Sequence, residues 1–129
     1  MIYLRKFEIL NAKKYMSAAI ESMGMQVNEN LGLFYTNLAT IELMNSEYPA
    51  AEQNYLKSLE IYKSLNLENL NTALTQINLA ALYLNLGNFE KARVLLEPVN
   101  TFYKKYFSKN TEKAVVSLSK LGFTYYKMY

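Results

Sequence analysis

The chain of 129 residues has no cysteine, no histidine and no tryptophan, and every one of its 11 acidic residues is glutamate. Without cysteine there is no disulfide framework and no thiolate metal site. Without histidine as well, the commonest general base and the usual zinc ligands are missing. Glycine is sparse and scattered, at Gly24, Gly32, Gly87 and Gly122, so no glycine-rich loop exists to cradle a phosphate. These absences argue against an enzyme and against any resident metal or cofactor. No apolar run approaches the roughly 20 residues that a membrane-spanning helix needs. The opening segment sets Arg5, Lys6 and Glu8 among its apolar residues, unlike a secretory signal. A cytoplasmic location with no membrane contact is the expectation.

Charge of one sign is also scarce, with 14 basic residues against 11 acidic ones and a net charge of +3. Arginine occurs only at Arg5 and Arg93, whereas nucleic-acid binders usually concentrate arginine and lysine on one face. The densest basic stretch, Tyr103 to Lys109, reads as a helix end whose lysines complement the helix dipole. The 12 tyrosines and 6 phenylalanines could stack on bases. Most of them fall where a repeating pattern assigns them to packing, with Tyr126 and Tyr129 as exceptions. No nucleic-acid partner is expected.

What the chain does contain is a core and a repeat. Hydrophobic residues make up 51 % of it, enough for one modest domain. The segment Asn37-Leu38-Ala39-Thr40-Ile41-Glu42-Leu43 aligns without gaps on Asn78-Leu79-Ala80-Ala81-Leu82-Tyr83-Leu84, 41 residues later. The match runs on through the next turn, where Ser46-Glu47-Tyr48 meets Gly87-Asn88-Phe89 and Ala51 meets Ala92. An earlier copy shows as Leu4 to Leu10 leading to Tyr15 and Ala18. A later one begins at Leu118, with Leu121 lying 42 residues after Leu79.

Each unit reads as two helices, because apolar residues from Leu74 to Leu86 are too dense and too extended for strand alternation. Gly87 can end one helix in the left-handed conformation and Asn88 can cap the next; Ser46 is expected to cap in the earlier unit, with Pro49 in the first turn. Seven helices follow, over about 2–10, 13–26, 31–45, 48–65, 69–86, 89–106 and 111–128, with a bend expected at Pro98. They group as a partial repeat 1–30, repeats 31–72 and 73–114, and a half repeat 115–129. Ala39, Ala51, Ala80 and Ala92 let paired helices approach closely, and stacked pairs share a core that one pair could not build alone.

In this arrangement the residues resemble the tetratricopeptide repeat family. The second full unit carries Leu79-Ala80, Tyr83, Gly87, Phe89, Ala92 and Leu96 in the family's order. The first carries Tyr35, Leu38-Ala39, Tyr48, Ala51 and Tyr55, but has Glu42 and Ser46 where Tyr and Gly are usual. The C-terminal half-unit shows Leu118, Leu121-Gly122 and Tyr125. The family's repeat is about 34 residues, so spacings of 41 and 42 are similar to its long-repeat members, such as kinesin light chain and bacterial peptide-sensing regulators.

The resemblance implies an all-α, right-handed α-solenoid whose concave groove is lined by the first helix of each unit and holds another protein or a peptide. In peptide-binding members an Asn just before the Leu-Gly/Ala pair holds the ligand backbone. Asn37 and Asn78 occupy that position here, and Lys120 is the third equivalent. An amide suits the role because it offers both donor and acceptor. Leu33, Thr36, Thr40, Met44, Leu74, Ile77, Ala81 and Asn85 would line the groove beside them. Thr36 and Val116 stand where the family's carboxylate-clamp variant wants basic residues, which argues against an acidic C-terminal tail as ligand. The peptide-sensing part of a transcriptional or signalling regulator is an alternative role. Another is a structural module that homodimerises through the last helix, whose Leu118, Leu121, Tyr125 and Met128 would form an uncovered apolar stripe.

Overall fold

The computed structural model describes residues 2–24 and 26–106, and within them five α-helices follow one another. They are α1 (Ile2–Met23), α2 (Glu29–Met44), α3 (Tyr48–Ser64), α4 (Leu70–Asn85) and α5 (Phe89–Tyr106). The two helices expected over 2–10 and 13–26 are a single one. Asn11 and Ala12 lie at the supposed junction, and an interior Asn disfavours a helix by only about 0.7 kcal/mol relative to Ala. With neither Gly nor Pro there, the backbone ladder continues. The helix expected over 111–128 lies outside the described residues, together with Lys120, Tyr126, Tyr129 and the apolar stripe from Leu118 to Met128. The chain divides into two compact units, Met1–Thr75 and Gln76–Tyr129.

One kind of turn ends α2, α3 and α4. After α2, the Ser46 N–H donates to the Leu43 carbonyl at 3.0 Å and the Glu47 N–H reaches back to the Glu42 carbonyl at 2.8 Å. After α3 the same pair of bonds runs from Asn66 to Lys63 and from Leu67 to Tyr62; after α4 it runs from Gly87 to Leu84 and from Asn88 to Tyr83. This double bond is the Schellman motif, and it demands a left-handed residue at its centre. Ser46, Asn66 and Gly87 supply it with φ of 61°, 55° and 74°. Ser46 is therefore the stop of α2 and not the cap of α3, correcting the sequence expectation. Pro49 does sit in the first turn of α3, and Asn88 caps α5 by accepting from the Lys91 N–H at 3.3 Å. Pro98 lies on the exposed side of α5, next to exposed Val94, where water can serve the carbonyl that the missing donor leaves open.

In the first unit α2 packs against both α1 and α3. The buried side of α3 is Ala51, Tyr55, Ser58 and Tyr62, at helical spacing of four, three and four. In the second unit α5 buries Ala92, Leu96, Val99 and Tyr103, each 41 residues later. The first helices repeat in the same way: Leu38, Ala39 and Glu42 are buried in α2, and Leu79, Ala80 and Tyr83 in α4. All four alanines expected at close approaches are at most 1 % exposed. Gly32 belongs with them, because a Cβ there would lie 2.5 Å from Cε1 of the fully buried Tyr62 ring. None of the described helices is long and apolar enough to cross a membrane.

A charge sits inside this packing. Glu42, 3 % exposed, occupies the register position that Tyr83 fills in the next repeat. Its carboxylate accepts from the Asn54 amide and pairs with the Lys13 ammonium at 3.3 Å. Lys13 also donates to both oxygens of Glu47 at 3.1 Å, so one lysine on α1 clasps the end of α2 and the entry to α3. The hydrogen bond to Glu47, with support from Glu42, raises the Lys13 pKa above the usual lysine value. Burial raises that of Tyr55, and the nearby Glu42 charge adds to it. Burial also raises Tyr103.

Three outcomes are expected. Replacing Ser46 with Gly relieves a left-handed side chain and raises stability by about 0.5–1 kcal/mol, while Gly87→Ala lowers it by about 1 kcal/mol; urea titrations of the two variants should move their midpoints in opposite directions. Lys13→Met strands the Glu42 carboxylate and costs about 1–3 kcal/mol, of which Glu42→Gln in the same chain restores a part; a double variant no more stable than Lys13→Met alone would contradict the pairing. Because the raised Tyr55, Tyr103 and Lys13 groups keep their protons longer in the folded state than in the unfolded chain, stability should hold up to about pH 10 and fall above it. A urea midpoint that stays level from about pH 8 to 11 would rule this out.

Candidate functional site

The first helix of each repeat, α2 or α4, turns one stripe of side chains away from the core. On α2 it consists of Leu33, Asn37, Thr40 and Met44, spaced four, three and four. On α4 the residues 41 positions later are Leu74, Asn78, Ala81 and Asn85. None of the eight is buried, and Met44, Leu74 and Asn85 are the most open, Met44 at 56 % exposure and Leu74 at 42 %. The stripe follows from the core. With a turn every 3.6 residues, burying Leu38, Ala39 and Glu42 leaves 33, 37, 40 and 44 on the other side of the helix.

Thr36 and Ile77, also expected to line the groove, lie inside instead, at 6 % and 4 % exposure. The two share one register position, about 100° round the helix from Asn37 and Asn78, which carries it off the outward stripe and into the packing. Thr36 is further committed by chemistry. Its hydroxyl lies 2.6 Å from the Ser58 hydroxyl and 2.7 Å from that of Thr75. Ser58 can donate to the Gly32 carbonyl at 2.7 Å and Thr75 to the Asn71 carbonyl at 2.9 Å. Three hydroxyl hydrogens can fill only three of these four contacts at a time, so that of Thr36 is used within the set and none is left for a ligand.

Thr40 stands on the stripe but is partly engaged. Its hydroxyl donates to the Thr36 carbonyl at 2.9 Å, so the Tyr55 hydroxyl at 2.8 Å must be the donor to Thr40. Asn37 and Asn78 contrast with it. Both are half-buried, and neither amide bonds to any group among the described residues. Neither has a polar atom both sealed from solvent and unbonded, a condition met among the described side chains only by the Tyr62 hydroxyl. Other asparagines are spent on structure. Asn28 caps α2 by accepting from the Leu31 N–H, Asn69 receives the N–H groups of Asn71 and Thr72, and Asn69 and Asn71 both donate to Glu29 at 2.9 Å.

Sequence reading placed Asn37 and Asn78 at one register position through the repeat. It missed the Thr36–Ser58–Thr75 set and the Lys13–Glu42 pair, although Glu42 in place of an aromatic was a visible signal that a buried charge needed a partner.

The family model for the tetratricopeptide repeat matches residues 30–105. That span takes in α2, α3, α4 and nearly all of α5. No curated protein matches the chain. The register of buried alanines, the paired helices and a match over well over half of its length place the chain in the tetratricopeptide repeat family, whose members are scaffolds for protein–protein interaction.

Proposed function

We propose that the first helix of a repeat, α2 or α4, binds an extended segment of a partner polypeptide through its outward stripe. The observation that carries this reading is the pair Asn37 and Asn78. They share one register position, are held half-buried on a helix, are reachable by solvent and are bonded to nothing in the described protein. A peptide backbone presents a carbonyl and an N–H in alternation, and one carboxamide can satisfy both. A half-buried amide is also partly shielded from competing water, so each bond formed counts for more than at an open surface. Leu33 and Leu74, one turn earlier in each stripe, offer apolar contact for ligand side chains. The reading is of binding alone.

Selection of a displayed library of random short peptides on the full chain tests this. Peptides taken by the wild type should bind Asn37→Ala or Asn78→Ala about tenfold more weakly, the equivalent of one or two net hydrogen bonds lost at that position. Both substitutions lie outside the core, and circular dichroism should show their helix content unchanged. Peptides held equally well by the wild type and by both variants would refute the assignment.

A further inference from the structure

Charge in this protein is segregated by helix. α4 has 16 residues and not one is charged. α2, of the same length, has two, Glu29 and Glu42. Both are already engaged: Glu29 accepts from the amides of Asn69 and Asn71, and Glu42 is buried against Lys13 and Asn54. The second helices differ sharply. α3 carries Glu52, Lys57, Glu60 and Lys63, and α5 carries charges at 90, 91, 93, 97, 104 and 105. Of these, two lean on a first helix of the same unit: Lys57, whose ammonium lies 4.8 Å from the centre of the Tyr35 ring, and Lys91, 5.3 Å from that of Tyr83, five positions after Asn78 and so also off the stripe. Tyr35 is two positions before Asn37, about 200° round the helix, so Lys57 approaches the side of α2 away from the stripe.

We infer that a partner segment taken by either stripe is uncharged, with apolar side chains flanking the backbone unit that the asparagine there holds. The inference rests on the binding reading above and adds the chemistry of the ligand to it. The reason is desolvation. A carboxylate or ammonium on the ligand would give up water against Leu33 or Leu74 and find no opposite charge on either stripe to compensate it. An uncharged side chain meets no such penalty, and it gains from the apolar area of Leu33, Met44 and Leu74. The same argument makes binding nearly indifferent to salt, because no ion pair forms to be screened.

The test uses peptides selected from a displayed random library on the full chain. Peptides that lose about tenfold in affinity on Asn37→Ala or Asn78→Ala are carried forward. Their sequences should be depleted of Asp, Glu, Lys and Arg across the bound stretch, and raising NaCl from about 50 mM to about 500 mM should change their Kd by less than about twofold. Asn85→Lys, which puts a cation on the exposed end of the α4 stripe, should shift reselected peptides toward acidic residues and make their binding fall with salt. Enrichment of charged residues in asparagine-dependent peptides, or a tenfold loss with salt in the wild type, overturns the neutral-ligand inference while leaving the binding reading intact. Failure to select any peptide, or selection only of peptides indifferent to both asparagines, overturns the binding reading and the inference with it.

Discussion

The close approach of paired helices at small residues constrains the rest of this protein. Ala39 and Ala51 in one repeat, and Ala80 and Ala92 in the next, are almost wholly buried, and Gly32 leaves the space that the Tyr62 ring fills. Where backbones come that near, the rotation of each helix about its own axis is no longer free. Fixing which residues of α2 face α3 also fixes which ones face away, and the outward stripe of Leu33, Asn37, Thr40 and Met44 is the geometrical remainder. The same constraint accounts for the 41-residue register. Ala51, Tyr55, Ser58 and Tyr62 recur as Ala92, Leu96, Val99 and Tyr103, and the last of each set, on the extended part of the second helix, is a buried tyrosine in both repeats.

Within that frame the first unit is more polar than the second. Where the second repeat has Ile77, Tyr83 and Val99, the first has Thr36, Glu42 and Ser58, all buried. Apolar residues at the same register positions fill the space well enough for helix packing, so the polar set is not a requirement of shape. What it adds is direction. A hydroxyl cluster linking Thr36 on α2, Ser58 on α3 and Thr75 on α4 is satisfied in only a narrow range of helix positions, as is the Lys13 clasp on Glu42 and Glu47. Buried polar groups of this kind contribute little net stability but penalise alternative registers heavily, because each one left unpaired costs about 1–3 kcal/mol.

The functional reading grows from what this packing leaves over. Tetratricopeptide repeats are interaction scaffolds, and the first helices of this chain present a surface with little charge. Their two charges are consumed internally, and the charged side chains gather on the second helices, where they meet water, a tyrosine ring or one another, as Arg93 does between Glu90 and Glu97 on α5. The accessible chemistry of the first helices is therefore amide and hydrocarbon.

The sequence by itself determined the helical class, the 41-residue period, the burial of the four alanines and the outward position of Asn37 and Asn78. These are properties of local periodicity, and periodicity survives in a linear string. It also pointed to the turn at Gly87 and the cap at Asn88, where residue type and conformation are tightly coupled. It did not determine that α1 is one helix, since a break depends on whether a neighbour rewards it and Asn11 is compatible with either outcome. Ser46 misled for a related reason: serine is a good cap and a poor left-handed residue, and only the closure of the α2–α3 turn imposed the second role. Thr36 and Ile77 went inward because helix rotation is set by contacts with other helices. The pairing of Lys13 with Glu42, 29 residues apart in the chain, was decided by tertiary structure alone, because nothing in a linear pattern says which cation will stand beside a carboxylate once the helices have packed.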